Sequence, residues 1–147
     1  MSKKNEKVPK KPDHQPTQAR FEEKWGDGAL VMGWTGIPTS LFFLQGTLSI
    51  SPLAFNVLIN LIAHWWRPGE WPHPSQELIS KRMNLSVRTI QRGIAELEDA
   101  GIVLKQRTSQ DHPKYKGRNI YNLTPLVELL NNFTPDLKEK INKSDMK

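Results

Sequence analysis

Between Ser51 and Trp66 nearly every side chain is apolar, and the exceptions Asn56, Asn60 and His64 recur at every fourth position. That spacing predicts a helix with one narrow polar stripe. Ser51-Pro52 supplies an N-cap and a first helical residue, and Arg67-Pro68-Gly69 stops the helix at about Trp66. A helix this apolar has to be covered nearly all round. The segment of residues 20–50, RFEEKWGDGALVMGWTGIPTSLFFLQGTLSI, is the natural cover, from the same chain or from a partner chain. Within it, Ala29 to Trp34 predicts a short strand or an extended arm. Pro38 predicts a short helix through Gln45, ended by Gly46.

Beyond the rigid connector Trp71-Pro72-His73-Pro74 the pattern changes. Ser75 caps a helix from Gln76 to Met83 that should bury Leu78, Ile79 and Met83. Asn84 follows, a residue that tolerates the left-handed conformation of a tight turn, and Leu85 is expected to point inward. Ser86 caps the next helix, Val87 to Ala100, which places Ile90, Ile94 and Leu97 on one face and ends at Gly101. Ile102 to Arg107 reads as a strand, Thr108 to Gly117 as a polar, basic loop, and Arg118 to Leu123 as the returning strand. Thr124-Pro125 starts a helix carrying Leu126, Val127, Leu129 and Leu130. Thr134-Pro135 restarts a last one with Leu137 and Ile141, and the tail from Asn142 should fray.

Composition sets the limits on this reading. The chain has 147 residues, of which 37% are apolar, which fits one domain with tails. Residues 1–19 hold five lysines and three prolines and too little apolar surface to offset their ordering entropy, so they read as a disordered basic arm. The arm is either a phosphate clamp or a solubilising tail. The expected organisation is that arm, an apolar arm or short helix at 20–50 that covers the core or dimerises, a domain at 51–124, C-terminal helices at 125–141 and a frayed tail at 142–147. Without cysteine there is no disulfide, thiolate nucleophile or thiolate metal site. The apolar run from Leu53 to Trp66 falls short of the roughly 20 residues of a spanning helix, and the charged start is not an export signal, so a cytoplasmic protein with no membrane is expected. The net charge of +6 points to a polyanionic partner.

The order helix, short helix, turn, helix, two-stranded hairpin predicts a winged helix-turn-helix, mainly α with a small β-hairpin wing (α+β). The stretch PSQELISKRMNLSVRTIQRGIAELEDAGIVLKQR, followed by GRNIYNLTPL, resembles the domains of bacterial winged-helix regulators. In those, "S-x-R-T-[apolar]-x-R" opens the second helix of the motif, here Ser86-Val87-Arg88-Thr89-Ile90-Gln91-Arg92. The closing "L-E-x-x-G-[apolar]-[apolar]" is Leu97-Glu98-Asp99-Ala100-Gly101-Ile102-Val103. Asn84 stands where glycine is common, and Ile79 where alanine is common. The resemblance implies sequence-specific binding of double-stranded DNA on paired half-sites by a nucleoid-associated transcriptional regulator. A homodimer is expected from the surplus apolar surface of the Leu53–Trp66 helix, from segment 20–50, which could wrap another chain, and from the apolar stripe of Leu126–Ile141. Similar winged helices also serve plasmid or phage replication initiation, and a protein-interaction module is the third reading.

The residue types suit duplex readout. A major groove admits one helix, and arginine can pair bidentately with guanine and glutamine with adenine. The exposed face of helix 87–100 offers Arg88, Thr89, Gln91 and Arg92. Ser75, Gln76 and Ser86 place hydroxyls and free amides at helix starts, where phosphates bind. Ser75 to Arg92 holds four basic residues against Glu77, and Leu104 to Arg118 holds five against Asp111. Arg107, Lys114, Lys116 and Arg118 therefore form a basic wing, 107–118, for the adjacent backbone or minor groove. The bland alternatives are pairing of Arg88 or Arg92 with Glu96, a merely soluble hairpin tip, and packing roles for Trp65, Trp66, Trp71 and Tyr121. Tyr115 reads as exposed. His14, His64, His73 and His112 lack zinc-ligand spacing, and no phosphate-loop or nucleophile-elbow motif occurs. No enzyme, cofactor or metal is expected, and an effector is unknown.

Overall fold

A computed structural model describes residues 17–145. The basic arm lies outside the described residues up to residue 16. The chain forms two compact units, Met1–Trp34 and Thr35–Lys147. In the first unit, residues 18 and 19 belong to a helix rather than to the arm. Thr17 caps α1 (Gln18–Trp25) by accepting the Arg20 N–H, and Gly26 ends it at φ 77°. Ala29 to Trp34, expected as a short strand or an extended arm, forms no strand. A 3-10 turn, Gly28–Leu30, stands at its start. Trp34 folds back on α1, stacking on Phe21 at 4.7 Å and donating its indole N–H to Gln18 Oε1 at 3.1 Å. This local aromatic clasp stands in place of strand pairing, for which the described residues of the unit offer no partner strand.

The second unit begins with the expected cover. Pro38 leads into a 3-10 turn, Thr39–Phe43, and a single helical turn, α2 (Leu44–Thr47). Gly46 lies inside α2, and the chain reverses at Ser49, whose φ is 52°. Leu41, Leu44 and Ile50 are buried in the core shared with α3 (Pro52–Ile62). Ser51 caps α3, its hydroxyl accepting the Ala54 N–H at 3.1 Å. The helix stops four residues before Trp66. His64 and Trp65 switch to bonds on Leu61 and Ile62 carbonyls, and the Trp66 indole caps the Ala63 carbonyl at 3.0 Å. Helix ends leave carbonyls unsatisfied, and here an aromatic N–H takes one of them.

α4 (Gln76–Met83) and α5 (Val87–Asp99) follow, capped by Ser75 and Ser86 as expected. Asn84 is left-handed at φ 54°, ψ 46°. Two expected core residues are not in the core: Leu78 and Leu85 are each 41% exposed. The buried face of α4 centres on Ile79 and Ser80, which leaves Leu78 at its margin. The turn commits the Leu85 amide to the Ser80 carbonyl and swings the side chain outward. α5 buries Ile90, Gly93, Ile94 and Leu97. Gly93 has a packing reason: a Cβ there would lie 2.9 Å from Val57 Cγ2, so its absence lets α5 approach α3 closely.

Strands β1 (Leu104–Arg107) and β2 (Asn119–Asn122) pair antiparallel, with Leu104 opposite Asn122 and Arg107 opposite Asn119. They are shorter than the alternation predicts, because Ile102, Val103 and Leu123 are spent on the core instead. From Thr124 to Asp145 the chain is one helix, α6, in place of two helices with fraying from Asn142, and residues 146–147 of the expected tail lie outside the described residues. Pro135 sits inside it. An interior proline costs about 3 kcal/mol, but Leu126, Leu130 and Phe133 hold the preceding turns against the core.

Candidate nucleic-acid interface

Each end of α5 is tied down by different chemistry. At the far end, the Glu96 carboxylate accepts the Ser51 hydroxyl and, at 3.2 Å, the Ser51 N–H. The acid that could have neutralised Arg92 is thereby committed to the start of α3. At the near end, Ser86 Oγ accepts the Thr89 N–H at 3.1 Å and lies 2.9 Å from the Thr89 hydroxyl. The Arg92 guanidinium donates to that same Thr89 hydroxyl at 3.4 Å. Arg88 is exposed and makes no ion pair among the described residues. The first two turns of α5 thus hold two guanidinium groups on the surface with no acid against them.

The starts of α4 and α5 and the base of the wing meet around a cleft of about 670 Å³, lined among others by His64, Ser75, Gln76, Val87, Arg118 and Tyr121. Of the expected contact residues, Ser75, Gln76 and Arg118 are brought together there. Gln91 joins them through its amide, which donates to Gln76 Oε1 at 3.0 Å. His64 contributes a buried Nε2 with no hydrogen-bond partner. Burial, with Arg82 and His73 nearby, lowers its pKa below 6.5.

Residues 48–103 match the family model of a helix-turn-helix domain. The segment is a helix-turn-helix domain. That family points to DNA binding. A search of curated proteins finds no match to the chain. The match ends at Val103, and the β1–β2 hairpin that follows completes a winged helix-turn-helix, an α+β arrangement that is mostly helical.

The wing of this helix-turn-helix domain is more ordered than a soluble tip. His112 Nδ1 accepts the N–H groups of Lys114 at 3.1 Å and Tyr115 at 3.0 Å. Tyr115 is only 8% exposed, contrary to expectation, because its ring packs between His73 and His112 at 5.3 Å and 5.0 Å. At the wing base the Thr108 hydroxyl and amide both donate to the Arg118 carbonyl. Lys114 departs from the picture of a free contact. Its ammonium pairs with Glu70 at 2.7 Å and lies over the Tyr115 ring. The hydrogen bond raises the pKa of Lys114 and lowers that of Glu70. Lys116, left-handed at φ 48°, and Arg107 and Arg118 are exposed.

Three contributors were missed in the sequence. Glu70 lies in a proline-glycine turn, where a single acid carries no pattern. Glu96 stands one turn from Arg92, so the local rule pointed to the wrong partner. Tyr121 was read as packing, and it is fully buried. Its hydroxyl also accepts from Gln76 Nε2 at 3.4 Å, a contact between positions 45 residues apart. Among the described residues, no group of three or more His, Asp or Glu could hold a metal ion, and no helix is long and apolar enough to cross a membrane.

Proposed function

We propose that this chain is a sequence-specific double-stranded DNA-binding protein, a transcriptional regulator acting on the nucleoid. In this reading α5 enters the major groove and the 107–118 wing lies on the adjacent backbone or minor groove. The observation that carries the reading is the state of α5. Its apolar face is sealed into the core, Glu96 toward its far end is committed to Ser51, and Arg88, Gln91 and Arg92 stand exposed at the other end. Ser75, Ser86 and the wing cations flank that end with phosphate-binding groups.

Pairing of two copies belongs to the same proposal, but on different ground from that expected. The apolar surface of α3 is buried chiefly against α5, in a core that also takes in Leu41, Leu44 and Ile50 of its own unit. What supports a pair is the apolar surface still open in that unit, with Phe42 at 54% and Trp66 at 75% exposure.

The test is selection of duplexes from fragmented genomic DNA at two salt concentrations. Enrichment of fragments sharing an inverted repeat, persisting at the higher salt, is expected. Direct repeats clustered at an origin would move the role to replication, and retention that vanishes with salt would reduce it to phosphate binding. Lys116→Ala should weaken all duplexes alike and reduce the slope of log K against log salt by about 0.9. An unaltered slope would remove the wing tip from the interface.

A further inference from the structure

The exposed amide of Gln91 is held by a hydrogen bond to Gln76. It is the outer end of a relay that starts at a fully buried phenol. Tyr121 sits in β2 opposite Lys105, and its amide donates to the Pro72 carbonyl at 2.9 Å. Its ring position is therefore set by the wing sheet and by the connector before α4. Gln76, the first residue of α4, donates Nε2 to the Tyr121 hydroxyl and accepts on Oε1 from Gln91 Nε2. Three elements, β2, α4 and α5, are joined through side chains at the mouth of the cleft.

The polarity of this chain has a consequence for what Gln91 can recognise. A glutamine amide has one acceptor oxygen and two N–H donors. With one N–H spent on Gln76, Gln91 keeps its oxygen and one N–H. That pair matches the N6 donor and N7 acceptor of adenine in the major groove, whereas guanine presents two acceptors there. An unanchored glutamine can rotate its amide and offer either end. Resting on the DNA-binding reading above, we propose that Tyr121 and Gln76 are positioning residues that orient Gln91 for one adenine, so that the wing strand sets the base preference of α5 at that position.

The experiment is selection from a random duplex library with the full chain and with Gln91→Ala, Gln76→Ala, Tyr121→Phe and the Gln76→Ala/Gln91→Ala pair. Thermal melts run alongside to show that each variant is folded. Wild type should prefer adenine at one position by about tenfold or more, the range of a good bidentate pair. Gln91→Ala should abolish that preference. Tyr121→Phe and Gln76→Ala should each reduce it by about fivefold, the worth of one hydrogen bond, while preferences at other positions persist. The double variant should match Gln91→Ala alone at that position, because Gln76 acts through Gln91.

Retained preference in folded Tyr121→Phe and Gln76→Ala overturns the relay and leaves DNA binding standing. So does guanine at the Gln91-dependent position, or loss of preference at all positions alike. A wild-type chain that selects no sequence overturns the DNA-binding reading and the relay with it.

Discussion

The two faces of α5 make different demands on the same thirteen residues. The inner face is closed: Ile90, Ile94 and Leu97 are buried, and Gly93 is stripped of a side chain so that Val57 can sit against the backbone. The outer face is held without being closed. Gln91 and Arg92 each donate one hydrogen bond, at 3.0 and 3.4 Å, the Thr89 hydroxyl meets Ser86 at 2.9 Å and Arg92 at 3.4 Å, and Arg88 stands clear of any ion pair among the described residues. A core face is stabilised by excluding water, so any change of volume is felt. A reading face has to be ordered enough to discriminate and still have donors to spend.

The sharpest way to separate the faces is to damage the inner one. Leu97→Ala deletes a fully buried side chain and should destabilise the fold by about 2–5 kcal/mol in urea unfolding. Any DNA affinity it retains, measured where the variant is still folded, should show unchanged base preferences. Altered preferences in the folded fraction would mean that core packing tunes the outer face. Gly93→Ala makes the reverse error. The added methyl meets Val57 Cγ2 at 2.9 Å, and overpacking of this kind costs about 1–3 kcal/mol. A neutral result would show that α3 and α5 separate easily and that the close approach is incidental.

Arg88→Ala probes the outer face and should behave in the opposite manner. With no ion pair to lose, its melting should stay within about 0.5 kcal/mol of wild type. Its discrimination between cognate and altered duplexes should fall by about 1–3 kcal/mol at one base pair. Undiminished discrimination would exclude Arg88 from direct base contact and reduce the outer face to a phosphate-binding surface.

The inner face was the legible one in the sequence. The spacing of Ile90, Ile94 and Leu97, the Ser51, Ser75 and Ser86 caps, the left-handed Asn84 and Gly101 are local signals, and each appears where local rules put it. The failures have a common origin. Leu78 lies within a short helix and Leu85 just after it, and only the tertiary placement of α4 decides which of its faces is covered. Thr134-Pro135 obeys the local rule for a helix start, yet α6 runs through it because the packed turns before it carry the helix on. Lys114 and Glu70 lie far apart in sequence, as do Glu96 and Ser51 and Tyr121 and Gln76. The outer face depends on these long-range polar partners. Its residue types could be named from the sequence, but their commitments could not.

His64 stands where the two regimes meet, and it gives the smallest effect. It lies two residues beyond the end of α3, its Nε2 is buried without a partner, and it borders the cleft shared by Gln76 and Arg118. The charged and titratable groups that act on it are Arg82 and His73. Burial and those neighbours favour the neutral ring, so its pKa in the fold is below the 6.5 of the unfolded chain. Between those two values the unfolded state binds more protons than the native state, so stability falls as the pH is lowered. The loss begins near pH 6.5 and is complete once the pH has passed below the folded-state value, with no further change from this group beyond it. Urea midpoints measured on either side of that window should therefore differ in wild type and differ less in His64→Phe, which keeps a ring but cannot accept a proton. An equal pH dependence in both proteins would place the titration elsewhere. A diminished one would assign that part of the pH dependence to His64, at the border of the cleft that Ser75 and Arg118 also line.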